Sequence, residues 1–227
     1  MSSQNTIVDN STRGKLFVIS APSGAGKTSI VHAACGYDTS LKRAVTTTTR
    51  PMRDGEVDGR DYHFLTEADF HAKVEAGDFI EYANVFGNLY GLTRAAVETH
   101  LSQGQNVVVI LDVQGALSVI KDMPDDVVSI FILPPSPYVL RRRLYGRGCP
   151  DNNLDARLNS IGWEVSLCCW FEYVVLNDDF EEAVADILAV VAREKPGDAH
   201  QAAAARGDNV LQEKHMLIKN VAAAFMT

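Results

Sequence analysis

Leu16-Phe17-Val18-Ile19-Ser20-Ala21-Pro22-Ser23-Gly24-Ala25-Gly26-Lys27-Thr28 is an apolar run, a loop of small residues, and then Gly-Lys-Thr opening a helical pattern. That order is what a phosphate-binding loop requires. Glycines let backbone N–H groups turn inward around anionic oxygens, and the helix that follows aims its N-terminus at them. Lys27 is placed to reach the β- and γ-phosphates of a nucleotide, and the Thr28 hydroxyl to ligate Mg²⁺. The first motif position is Ala21 rather than Gly, which keeps the small side chain that the position asks for. Such a motif arises by chance in roughly one or two of a hundred chains this long, and the flanking strand and helix narrow that further. The segment reads as a nucleotide-phosphate binder.

Around it lie 227 residues, enough for one full α/β core with inserted subdomains. A composition of 46% apolar and 22% charged residues is ordinary for a soluble globular protein. The formal charge of −8 argues against a nucleic-acid polymer or an anionic membrane as main partner, while clustered arginines can still hold a small anion. Cys35, Cys149, Cys168 and Cys169 have neither C-x-x-C spacing nor a paired framework, so reduced thiols in the cytoplasm fit better than zinc or disulfides. Met1–Ser11 lacks the apolar stretch of a signal peptide, and no apolar run approaches the ~18 residues of a membrane span.

In chain order, residues 1–13 read as a flexible leader. Leu16–Ser20 is predicted as a short buried strand and Lys27–Ala34 as a helix ending near Gly36. Ala44–Thr46 reads as a brief strand, Asp54-Gly55 and Asp58-Gly59 as turns, and Tyr62–Leu65 as a strand. Thr66-x-x-Asp69 resembles a capping box for a helix ending at Gly77. Phe79–Val85 is a further strand, and Thr93 caps a helix to about Ser102. Asn106–Leu111, Ser129–Leu133 and Tyr173–Leu176 have the unbroken apolar character of strands covered on both faces. Helical stretches at Gln114–Lys121, Tyr138–Tyr145, Leu154–Cys168 and Phe180–Arg193 alternate with them. Strands alternating with helices imply a doubly wound parallel sheet of five strands. Past Pro196-Gly197 an alanine-rich tail reads as helical or partly disordered.

Two polar clusters carry chemistry. Arg50 and Arg53, with Tyr62, sit in a hydroxyl-rich loop and read as a second phosphate site, or else as a solvated basic turn. Arg141, Arg142 and Arg143 suit the wet face of a helix, whereas Arg147 between two glycines suits a hinge that closes on phosphates. Cys168-Cys169 beside Trp170 reads as helix packing rather than a redox pair, and the six histidines lack metal-ligand spacing.

The stretches Ser20–Thr28, Thr47–Arg53, Gly55–Tyr62, Phe79–Glu81, Phe86–Gly91, Gln114-Gly115, Phe131–Pro135, Gly146–Gly148 and Val175–Asp179, in that order, resemble guanylate kinase over residues 14–195. The resemblance implies a P-loop α/β fold in three parts. These are a core of residues 14–45, 104–140 and 170–195, a GMP-binding α+β insert of residues 46–103 and a helical lid of residues 141–169. The tail would be residues 196–227. It further implies that Arg50, Arg53, Tyr62 and Tyr90 hold the GMP phosphate, and that Thr46, Glu81 and Asp112 read guanine. Arg143, Arg147 and Arg157 would clamp ATP, with Asn177 beside adenine, and Lys27, Arg50, Arg53, Arg147 and Arg157 would carry catalysis.

The sequence departs from the family in three places. An acidic residue expected two positions before Asp112 is Ile110, so Asp112 is open to a metal role, although Gln114-Gly115 fixes the register that favours guanine. The hydroxyl expected after Tyr90-Gly91 is Leu92, with Thr93 as its only substitute, and the lid between Gly148 and Arg157 is one residue short and holds Pro150.

The expected activity is phosphoryl transfer from ATP to GMP, and to dGMP, with Mg²⁺, by a monomer or homodimer in the cytoplasm. Two rivals remain. One is a related kinase of another phosphorylated acceptor such as a ribose bisphosphate, against which Glu81 and Asp112 argue. The other is a silent interaction module of the same family, against which the intact Gly26-Lys27-Thr28 argues.

Overall fold

The computed structural model describes residues 13–85, 87–146, 154–194 and 215–225. The leader through residue 12, Arg147 with the lid loop through residue 153, and tail residues 195–214 lie outside the described residues. In chain order the elements are β1 (Leu16–Ser20), α1 (Lys27–Tyr37), β2 (Lys42–Arg43), β3 (Thr47–Thr48), β4 (His63–Phe64) and α2 (Glu67–Glu75). There follow β5 (Phe79–Val85), β6 (Asn88–Thr93), α3 (Arg94–Leu101), β7 (Val107–Ile110), α4 (Val113–Asp122) and β8 (Val127–Leu133). The last are α5 (Pro137–Tyr145), α6 (Leu154–Ser166), β9 (Tyr173–Leu176), α7 (Phe180–Arg193) and α8 (His215–Ala224).

Five strands form the expected parallel sheet, in the order β2-β7-β1-β8-β9. β1 is central, with Phe17 between Val108 and Val128. β1 and β8 are buried along their whole length, which is why their sequences carry no polar alternation. Helix α1 packs on α7 and β7, and α4 on β1 and β8, covering the sheet. Ligands of such sheets gather beyond the carboxyl ends of the strands, where β1 runs into the phosphate loop and β7 into Leu111-Asp112.

A second sheet, β4-β3-β6-β5, is built from residues between the first two core strands and β7. Its helix α2 starts at Thr66, whose hydroxyl accepts from the Asp69 N–H (3.1 Å) and donates to the Asp69 carboxylate (2.7 Å). Thr93 likewise caps α3.

The structure corrects two local readings and adds one strand. Ala44–Thr46 is no strand: the chain leaves the core sheet after Arg43 and enters the second sheet at Thr47, and the three residues between are the crossing. Asn88–Thr93 is a strand despite Gly91, because the Phe79 ring lies where a side chain at 91 would stand, 2.5 Å from an ideal Cβ. The helix predicted over Leu154–Cys168 ends at Ser166 in a 3-10 turn, which buries Cys168 and leaves Cys169 and Trp170 exposed. The described part of the tail is the helix α8, with Ala222 and Phe225 in the core and contacts to β8 and β9. No helix among the described residues is long and apolar enough to cross a membrane.

Candidate active site

The loop after β1 is fixed from behind. Ser20 Oγ donates to the Leu111 carbonyl at 3.1 Å, tying the carboxyl ends of β1 and β7 together. Asn177, buried at the end of β9, donates from Nδ2 to the Ala25 carbonyl at 2.6 Å and from its backbone to the Leu133 carbonyl. Gly26 has φ 99°, and a Cβ there would stand 2.6 Å from Asn177 Nδ2, so both conformation and space demand glycine. Helix α1 begins at Gly26 with no side-chain cap and no acidic residue in its first turn. The positive end of its dipole therefore faces the loop without a side chain of this chain neutralising it. Lys27 Nζ lies against the loop, donating to the carbonyls of Ala21 (2.5 Å) and Pro22 (3.5 Å). Thr28 is exposed to the same cavity.

Opposite the loop the second sheet presents a basic and aromatic cluster. Arg50 donates to both oxygens of Glu56 (2.7 and 3.0 Å) and lies over the rings of Tyr62 and Phe64, 5.5 and 5.8 Å from their centroids. Burial opposes its charge, but Glu56 and Tyr90 hold the guanidinium above its ordinary value. Glu56 in turn accepts from the Arg53 N–H at 2.8 Å. Tyr62 meets Tyr90 edge-on at 5.9 Å, and burial, with Tyr90 beside it, pushes the Tyr62 hydroxyl up.

Between these groups stands a pair of carboxylates from different elements. Glu81 on β5 is buried, and burial first, then Asp112, raises its pKa to about 8. Asp112 caps α4, accepting from the N–H groups of Gln114 (2.9 Å) and Gly115 (3.1 Å) with one oxygen. Gly115 is where β5 meets α4: a Cβ there would lie 2.8 Å from Glu81 Oε2.

The loop, the arginine–tyrosine cluster and the two carboxylates line one cavity of about 640 Å³, within the usual size of a small-molecule site. It gathers Ala21–Thr28, Thr46, Arg50, Arg53, Tyr62, Glu81, Tyr90 and Asp112 from the residues singled out in the sequence. Arg143 and Asn177 do not line it: they stand behind the loop, Arg143 Nη2 donating to the Asn177 carbonyl at 3.4 Å while Nη1 is buried with no partner among the described residues. Arg147 lies outside the described residues, and Arg157 is described only as part of the backbone of α6. Sequence reading missed Arg43, Glu56, Asp61, Asn88 and Glu164 in the wall. Glu56 and Asp61 lie inside the quoted stretch Gly55–Tyr62 and Asn88 inside Phe86–Gly91, whereas Arg43 and Glu164 had no local signal.

Ile110 lines the cavity, so an apolar side chain does occupy the wall two positions before Asp112. Leu92 is fully buried in the core, and Thr93 cannot stand in for a hydroxyl there because it caps α3 and is not in the wall. Among the described residues no three His, Cys, Asp or Glu side chains converge as a metal cage. One exposed hydroxyl, Thr28, beside an anion-seeking loop suits Mg²⁺, which keeps its waters and is held chiefly by phosphate oxygens.

The family model described as guanylate kinase matches residues 13–194. A guanylate kinase of Alkalilimnicola ehrlichii is 47% identical over 178 residues, 78% of this chain and 87% of the relative. One of Thermotoga maritima is 43% identical over 184 residues, 81% and 88% of the two chains. The crystal structure of guanylate kinase from Anaplasma phagocytophilum superposes with a TM-score of 0.68 at 33% identity, covering 83% of this chain and 89% of that one. The matched span encloses every described residue of the cavity wall, from the loop at Ala21 to Glu164 on α6, and on that footing the chain belongs to the guanylate kinase family.

Proposed function

We propose that this chain is a cytoplasmic kinase that moves the γ-phosphoryl group of ATP to GMP, giving ADP and GDP. The observation that carries the reading is that one cavity joins three chemistries. They are a phosphate loop, a separate arginine–tyrosine cluster, and a carboxylate pair of buried Glu81 and half-buried Asp112. Guanine offers N1–H and an N2 amino group, two donors on one edge, and Glu81 with Asp112 supplies acceptors. Adenine lacks those donors and would leave these acceptors, the buried Glu81 above all, unmatched. A ribose bisphosphate gives no reason for such a pair, and a silent module gives none for Gly26-Lys27-Thr28.

In the mechanism, the loop N–H groups and Lys27 hold the β- and γ-phosphates. Arg50, Arg53, Tyr62 and Tyr90 hold the acceptor phosphate facing them, and Arg147 and Arg157 close over the transferred group. Asn177 and Arg143 act behind the loop, Asn177 through its bond to the Ala25 carbonyl. Thr28 would hold Mg²⁺, which when bound neutralises phosphate charge. Catalysis is positioning and charge neutralisation, with no covalent intermediate. The division into core, insert 46–103 and lid 141–169 belongs to this proposal. So does the absence of nucleic acid as a partner.

The test is ADP release in a coupled assay with GMP, AMP, CMP and UMP. GMP should lead AMP by roughly 10⁴-fold in kcat/KM, the discrimination open to a site that hydrogen-bonds its substrate. Comparable use of all four would overturn the guanine reading.

Ile110 supplies a further expectation. With an apolar side chain in the wall, no carboxylate there orients the waters of the ion. Ile110→Asp should lower the Mg²⁺ concentration giving half-maximal rate, since such outer groups are worth roughly 10–100-fold. The check is a Mg²⁺ titration at fixed ATP and GMP, with thermal melts, because a carboxylate at the end of an apolar strand is poorly solvated. An unmoved titration in a folded variant would show that position 110 does not face the metal.

A further inference from the structure

We propose that Arg43 is a positioning residue of the acceptor site, mooring the loop that carries Tyr62 to the core sheet. Arg43 ends the edge strand β2, opposite Val108 on β7. Its guanidinium leaves the core and forks onto the insert: Nη1 donates to the Arg60 carbonyl at 2.6 Å and Nη2 to the Asp61 carbonyl at 2.8 Å. The third donor, Nε, is buried with no partner among the described residues. A buried donor left unmade opposes stability, so the side chain is held where its fork, rather than its whole hydrogen-bonding capacity, is used.

Those two carbonyls immediately precede Tyr62. Further bonds close the loop on itself, and its flanks are tied to the second sheet, Glu56 by Arg50 and the His63 N–H by the Thr46 carbonyl at 2.9 Å. The Val57 N–H bonds the Asp61 carboxylate (2.9 Å), the Asp61 N–H the Val57 carbonyl (2.9 Å), and the Gly59 N–H the Tyr62 carbonyl (2.8 Å). The internal bonds shape the loop and the flanking ones tie it to the second sheet, but none of them reaches a strand of the core sheet. Arg43 does, and both Arg43 and Asp61 stand in the cavity wall beside Tyr62. Tyr62 in turn is the platform under Arg50 and the edge partner of Tyr90. Displacing the loop therefore displaces three groups that face the acceptor phosphate and none of the phosphate loop around Lys27. A planar fork with two parallel donors sets direction as well as distance, which an ammonium cannot.

The inference rests on the reading of that side of the cavity as the GMP site, and the experiment separates the two. Arg43→Met and Arg43→Lys are compared with the unaltered enzyme in steady-state kinetics, thermal melts and limited trypsin digestion read by mass spectrometry. Arg60, whose carbonyl Arg43 holds, is itself an exposed trypsin site. Arg43→Met should raise the KM for GMP roughly tenfold, about 1.4 kcal/mol, while the KM for ATP stays within about twofold. Cleavage after Arg60 should quicken, and Arg43→Lys should fall between the two proteins. An unchanged KM for GMP overturns the positioning role even if cleavage quickens. Equal rises in both KM values with a lowered Tm also overturn it, as general damage. If the unaltered protein does not use GMP, the acceptor reading fails by itself, and the digestion still decides whether Arg43 moors the loop.

Discussion

Replacing Lys27 with alanine should lower turnover roughly 100- to 1,000-fold, about 2.7–4 kcal/mol, the loss typical of a group that stabilises charge only in the transition state. The fold should survive, because the ammonium is not part of the packed core: it rests on the loop's own carbonyls at Ala21 and Pro22. Those contacts hold Lys27 close to where phosphate oxygens would take it over. Loop shape does not depend on them, since Asn177 and Gly26 fix it from behind. The loss should therefore fall on kcat with little change in Tm. A variant keeping more than a tenth of the parent turnover would exclude this role for Lys27.

The second large effect concerns Glu81. Hydrogen bonds to a charged acceptor contribute ~1.5–3 kcal/mol each. Exchanging the carboxylate for an amide that meets two guanine donors should cost about 3–4 kcal/mol, so Glu81→Gln should reduce kcat/KM for GMP roughly 150- to 900-fold. The same residue sets a pH dependence. Its pKa rises from the ordinary 4.5 to about 8 in the fold, because burial and then Asp112 disfavour the anion. The folded protein thus binds more protons than the unfolded chain across that window. Stability is fully present below about pH 4.5 and falls as pH climbs towards about 8. GMP affinity should run the other way, rising over the same window, if Glu81 reads guanine as the ionised carboxylate. Melts and GMP titrations from pH 5 to pH 8.5 should show both slopes in the parent and neither in Glu81→Gln. Slopes that persist in the variant would assign the titration to another group.

Much of this was legible because it is local. The strand, loop and helix around Gly26-Lys27-Thr28 are contiguous, and the capping box at Thr66 closes over three residues. The parallel sheet followed from apolar runs at β1, β7, β8 and β9, and full burial of β1 and β8 leaves no alternation in them. What escaped depends on direction and on distant neighbours. Asn177 shares the sequence with Ala25 only at long range, and no pattern announces that its amide holds the loop rather than facing the cavity. Gly91 punctuates the sequence like a turn, but the space under it is filled by the Phe79 ring, and strand geometry wins. Arg43 is one more basic residue on a two-residue strand until its fork is seen to cross from one sheet to the other. Asp112 was read for its carboxylate alone, whereas one of its oxygens is already committed to starting α4.

The central place of β1 in the sheet has a temporal side. Its partners are β7, reached only after the whole second sheet, and β8 beyond that. A chain emerging from its N-terminus exposes Leu16–Ser20, among its most apolar segments, long before either neighbour exists to cover it. Closing such separated strands costs loop entropy before any pairing repays it. The second sheet is spared this: β5 and β6 are adjacent and pair across a short turn. It can form early as a compact obstacle to misregistered pairing of β1, or late as an unfinished one. The nucleotide loop, anchored by Asn177 from the last core strand, acquires its shape only when nearly the entire described core is in place.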